Sequence, residues 1–191
     1  MSDTLSDDPR WRRLHERAWT CTGCQRTHTG LFDLASDRPY HWGGGAPQPN
    51  TELEGATNIL TEDFCIQGGD FFVRGVLQLP IVGGNGAHFG FGVWSTLSKA
   101  NFDRYVETFD DGTQGSLGPW FGWFCSRLKG YPDTLHLKCS VHPRNERHRP
   151  LIELKPADHP LAVEQREGIT FDRVLELYAL NGHDLRPSLT D

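Results

Sequence analysis

The fold class that this chain predicts is α+β: a mainly antiparallel sheet with helices on one face, preceded by a small N-terminal cysteine knuckle. Three observations lead there. Apolar residues alternate with others in FFVRGVLQLP (71–80) and again in HFGFGVWS (88–95), on either side of the turn-forming GGNGA, which is the pattern of a β-hairpin. Two further segments carry apolar residues at helical spacing. Cys21-x-x-Cys24 marks a tight turn well before either pattern begins.

Taken in order, residues 1–18 form an acidic, then basic arm with few apolar residues, expected to be mobile or weakly helical. Residues 19–36 form the knuckle. The stretch 37–57, DRPYHWGGGAPQPNTELEGAT, is rich in Gly and Pro and reads as an irregular loop. The body, 58–180, holds the sheet and helices. Pro80 ends the first long strand. Ser98 can cap SKANFDRYVETF, whose Phe102, Tyr105, Val106 and Phe109 make one apolar stripe. WFGWFCSR (120–127), TLHLKCSVH (134–142) and PLIEL (150–154) are the next strands, the second with Leu135, Leu137, Cys139 and Val141 towards the core. Pro160 opens a helix that Gly168 breaks, and Thr170 starts another with Phe171, Val174, Leu175 and Tyr178 as its stripe. Residues 181–191 form a tail. The element order is β-β-α-β-β-β-α-α, and hairpin connections favour antiparallel pairing.

The chain has 191 residues, 37% of them hydrophobic, and a formal net charge of −6. That balance lacks the positive field of a nucleic-acid binder, and no apolar run is long enough for a membrane span. The opening residues contain no apolar signal core, so the expected compartment is the cytoplasm. Five cysteines in such a setting argue against a disulfide framework. There is no phosphate-binding Gly-rich loop, no G-x-S-x-G elbow and no H-E-x-x-H helix.

A C-x2-C turn supplies two ligands of a tetrahedral zinc site at little entropic cost. Cys21 and Cys24 therefore form a candidate half-site for one structural zinc, with His28, Cys65 or both completing it. Two other readings remain open: free thiols, or a redox pair. Cys125 and Cys139 fall inside strand patterns and are expected to pack in the core.

In ADHPLAVEQ, His159 and Glu164, with His142 from a strand, could form an acid–base set, which would make the chain a small hydrolase. The competing reading is that Asp158, His159, Glu164 and Gln165 cap and brace a helix start. Arg74, His136, Lys138 and His142, with Trp94 and Trp123, could line a cationic, aromatic sheet face for an acidic peptide or small anion. Tyr131, Asp133, Glu153, Asp158 and Gln165 complete the candidate binding set. An antiparallel sheet with one wet face would explain the same residues.

The stretches WTCTGCQRTHTGL, EDFCIQGGDFFVRG, FGVWSTLSKANFDRY, WFGWFCSRLKGYPDTLHLK and PLIELKPADHPLAVEQREGIT resemble a bacterial family of uncharacterised proteins, domain of unknown function 2199, over about residues 19 to 178. The resemblance implies that Cys21, Cys24, His28 and Cys65 occupy family motif positions. It implies no reaction. The expectation is a non-enzymatic domain that binds a protein or small ligand, with a protein partner of the toxin–immunity kind as the fold-level analogy.

Overall fold

A computed structural model describes residues 4–189; the outermost positions of the expected arm and tail lie outside these. The fold is α+β, with a mainly antiparallel sheet. Its centre is the long hairpin of β6 (Asp70–Pro80) and β7 (His88–Leu97), paired from Phe71↔Leu97 to Pro80↔His88. Val73, Leu77 and Leu79 are fully buried, as the alternation requires.

The free edge of β6 takes two partners. Its first half pairs antiparallel with β5 (Phe64–Gln67), which in turn pairs with β4 (Asn58–Leu60). Beyond that, Leu151↔Val76 brings in β10 (Leu151–Leu154) in parallel, followed by β9 (Lys138–His142) and β8 (Trp120–Trp123), both antiparallel. The sheet then curls back, because Phe124 bridges to Ser95 of β7. β3 (Leu34–Ala35) adds a short parallel contact to β7 at Phe91.

The helices share one face. α2 (Lys99–Phe109), capped by Ser98, sets Phe102 against Phe64 and Phe71. α3 (Pro160–Glu167) ends at Gly168, and α4 (Phe171–Leu180) starts from the Thr170 cap. Tyr178 of α4 meets Phe89 edge-on; Phe89 pairs with Leu79, so α4 lies on the same face as Val73 and Leu77.

The opposite face is covered by a loop. Leu60, Cys65, Trp94 and Cys125 form a second buried cluster there, with Trp42 and Phe72 packed on it. The roof is the Gly/Pro-rich loop, tied down by Tyr40 N–H to Cys125 C=O (2.8 Å) and by Trp94 Nε1–H to Ser36 C=O (3.0 Å).

Three expectations are corrected. Residues 9–16, expected to be mobile or weakly helical, form helix α1 (Pro9–Glu16) docked by Leu14 into the core; Asp8 caps it and Pro9 supplies the first turn. The strand expected over 134–142 begins only at Lys138, since His136 has φ of 60° and breaks the extended run. Trp94, placed on an open binding face, is completely buried because the loop covers that part of the sheet.

Candidate metal centre

The knuckle is a hairpin of β1 (Trp19–Thr20) and β2 (Thr27–His28), paired Trp19↔His28 and Thr20↔Thr27. Its tip is held by Cys21 N–H to Arg26 C=O (2.9 Å) and Gln25 N–H to Cys21 C=O (2.8 Å). This geometry places Cys21 and Cys24 on the tip and His28 on the returning strand.

A fourth donor comes from the far end of the chain. α4 ends where Asn181 Nδ2–H donates to Leu177 C=O (2.8 Å) and Gly182 turns the chain at φ of 85°. His183 N–H then returns to Tyr178 C=O (2.8 Å). The knuckle packs directly on this turn, since a Cβ on Gly23 would lie 1.9 Å from the Gly182 carbonyl oxygen. Only a bare backbone fits there. His183 Nδ1 consequently sits 3.3 Å from Cys21 Sγ, and His28 Nε2 sits 3.3 Å from Cys24 Sγ.

Aromatic rings hold the imidazoles. His28 stacks between Trp19 (5.0 Å) and Phe32 (4.3 Å), and His183 meets Phe32 edge-on at 5.3 Å. Phe32 is fixed in turn by Tyr178, whose hydroxyl accepts from Phe32 N–H (2.9 Å) and donates to Phe32 C=O (2.6 Å). Burial, with His183 and Arg26 close by, holds the His28 pKa below its ordinary value, which favours the neutral, ligating ring. A cavity of about 250 Å³, walled by Cys24, Arg26, His28, Asp33 and His183, opens beside the group.

The ligand atoms of Cys21, Cys24 and His183 all lie within 4.8 Å of one another, the one group of this kind among the described residues. This group can hold a metal ion. A tetrahedral thiolate–imidazole site has sulfur-to-nitrogen edges of roughly 3.5 Å, which the two 3.3 Å contacts approach. Thiolate and neutral imidazole suit zinc better than magnesium or calcium.

Cys65, expected as a ligand, stands apart. It lies on β5 opposite Phe72, in the cluster with Trp94 and Cys125, and burial pushes its thiol up to about 12. Cys125 and Cys139 are also buried, with thiols raised to about 12 and about 11. His183, which the sequence reading missed, stands beside the knuckle instead. The available signal was the helix-ending Asn181-Gly182, which turns the next side chain back towards the body.

The acid–base set does not assemble. His159 caps α3, its Nδ1 accepting from Leu161 N–H (3.2 Å). Glu164 accepts from Arg173 Nε (3.0 Å) and from the Tyr131 hydroxyl. His142 approaches Glu153 at 2.9 Å. Gln165 braces β10, accepting from Leu154 N–H and donating to Ile152 C=O, both at 2.8 Å. Asp158 is exposed, and Asp133 pairs loosely with Arg127 (3.4 Å). Trp123 is exposed on β8, edge-on to Phe121 and opposite Lys138. His142, Glu153 and Gln165 border one cavity of about 300 Å³, which His159 and Glu164 do not line.

A model of the family described as an uncharacterized protein conserved in bacteria, domain of unknown function 2199, matches residues 20–169. No curated protein and no solved structure matches the chain. No helix among the described residues is long and apolar enough to cross a membrane.

Proposed function

The chain belongs to this bacterial family, and we propose that it is a non-enzymatic binding domain whose N-terminal hairpin is stapled to the end of α4 by one structural zinc ion. Cys21, Cys24, His28 and His183 are the ligands in this reading. The observation that carries it is the convergence of Cys21 and Cys24 with His183, across the bare contact of Gly23 and Gly182, with His28 beside Cys24. The zinc would supply no chemistry beyond cross-linking. Aromatic packing around both imidazoles and the burial of Cys21 support a closed, structural site.

Loss of the His159–Glu164 pair removes the support for a hydrolase, since one side chain caps a helix and the other is held by Arg173 and Tyr131. The proposed ligand is a protein or small molecule. A net charge of −6 would steer a basic protein partner towards this chain in the cytoplasm.

The test is elemental analysis of protein purified without chelator, with Cys21→Ser, Cys24→Ser, His28→Ala and His183→Ala variants and Cys65→Ser as control. The reading expects about one zinc per chain in the wild type and in Cys65→Ser, with less than a tenth of that in Cys21→Ser. Metal-free wild type that forms a reversible Cys21–Cys24 disulfide would replace it with the redox reading. Zinc lost in Cys65→Ser but kept in His183→Ala would overturn the ligand set.

A further inference from the structure

Arg74 lies on the loop-covered face of the sheet, beside Trp94 in the β6–β7 register. Its side chain is only 11% exposed, yet its partners are weak. One terminal nitrogen donates to the Glu62 carbonyl at 3.4 Å, and the other is 3.7 Å from Asp37, whose own carboxylate is 92% exposed. Nε is buried with no hydrogen-bond partner. A guanidinium taken out of water normally has close, paired acceptors, because its desolvation is otherwise uncompensated.

The surrounding charges do not supply them. Arg149 engages Glu62 (2.8 Å) and Asp63 (3.1 Å), so those carboxylates are already shared. Of the two acids that line the groove with Arg74, Glu62 is shared with Arg149 and Asp37 is largely exposed, so Arg74 is the weakly paired cation of the group.

A groove of about 870 Å³ opens at this point, walled by Asp37, Arg38, Gly44, Gly45, Glu62 and Arg74. The loop on its rim is shaped by Trp42, whose Nε1–H donates to Gly45 C=O at 3.0 Å. A Cβ on Gly44 would come within 2.3 Å of the Trp42 ring, so glycine is needed for the loop to fold over it. Trp42 also packs on the Trp94–Cys65 cluster, which anchors this wall to the sheet.

We infer that this groove is a binding site for a small molecule carrying a compact oxyanion, a carboxylate or a phosphate group, with Arg74 as its principal ligand. A guanidinium presents parallel N–H donors matched to two oxygens of such a group, and the incoming anion displaces exposed Asp37. The site is on the opposite face from the helices and does not depend on the metal centre.

The test is a titration of the full chain, in a buffer free of both anions, with sodium phosphate, with sodium acetate, and with sodium chloride at matched ionic strength. The Arg74 Nε–H resonance, assigned by its absence in Arg74→Lys, is the readout. A saturable shift with phosphate or with acetate, and none with chloride, is expected; the two arms tell which oxyanion the site prefers. Asp37→Asn removes the competing carboxylate from an exposed position without endangering the fold, and it should tighten binding roughly two- to fivefold. A shift no larger than that with chloride in both wild type and Asp37→Asn would overturn the inference. So would a saturable shift of the Gly44 and Gly45 backbone amide resonances, followed in both forms, that is retained undiminished in Arg74→Lys.

Discussion

The chain keeps its five cysteines in two contrasting places. Cys21 and Cys24 sit on a hairpin tip with an imidazole nitrogen 3.3 Å from each sulfur. Cys65, Cys125 and Cys139 sit in the sheet; Cys65 and Cys125 pack with Leu60 and Trp94, and Cys139 lies 3.2 Å from the Ser95 hydroxyl. Burial raises all three sheet thiols and keeps them protonated. The difference teaches that a cysteine's role here follows from the donors that converge on it, which spacing along the chain reveals only in part.

The largest effect that can test the contrast is metal removal. Chelation of the purified protein should lower its melting temperature by about 10 °C, read by calorimetry. Near-ultraviolet circular dichroism should report the loss of Trp19 packing in the same step. An unchanged melting curve would put the knuckle on the same footing as the sheet cysteines. Next is Cys65→Ser, which buries a hydroxyl among apolar side chains. It should cost roughly 1–3 kcal/mol in denaturant unfolding while zinc content stays the same.

Tyr178→Phe sharpens the comparison from the other side. It removes the hydroxyl that joins α4 to both backbone groups of Phe32 and should cost about 1–2 kcal/mol, with zinc retained but released faster to a chelator. The smallest effect is on pH dependence. The sheet thiols have native pKa values of about 12, 12 and 11, above the ordinary cysteine value of about 8.5. The unfolded chain therefore loses these protons first, so their contribution is intact below about pH 8.5 and declines as pH rises towards the native values. Stability measured from pH 8 to 10 should fall, and iodoacetamide should spare these three thiols until the protein unfolds.

Much of the fold was legible because its signals are local. Alternation marked β6 and β7, and Ser98 and Thr170 marked the starts of α2 and α4. β3, β4 and β5 were not, since strands of two to four residues are too short to show a period and are stabilised by edges laid down elsewhere. Helix α1 carried an Asp-Pro start that its charged composition obscured. At the candidate metal centre the hairpin half was readable from C-x2-C. His183 was not, because it approaches Cys21 across a separation of 162 residues and no spacing rule reaches that far. Cys65 looked like a ligand by its nearness in sequence to the body, yet the pairing of β5 with β6 turns it into the loop-covered cluster.

The contact between Gly23 and Gly182 also sets an order of events during synthesis. Translation proceeds at about 5–20 residues per second, so roughly 10–30 s separate the emergence of Cys21 from that of His183. Through that interval the hairpin has thiols and His28 but lacks its last imidazole and the backbone turn on which it rests. Zinc captured early would be held by a partial ligand set and remain exchangeable. Only arrival of the turn after α4 would lock it, and tight metal retention would then mark that the two ends of the domain have met.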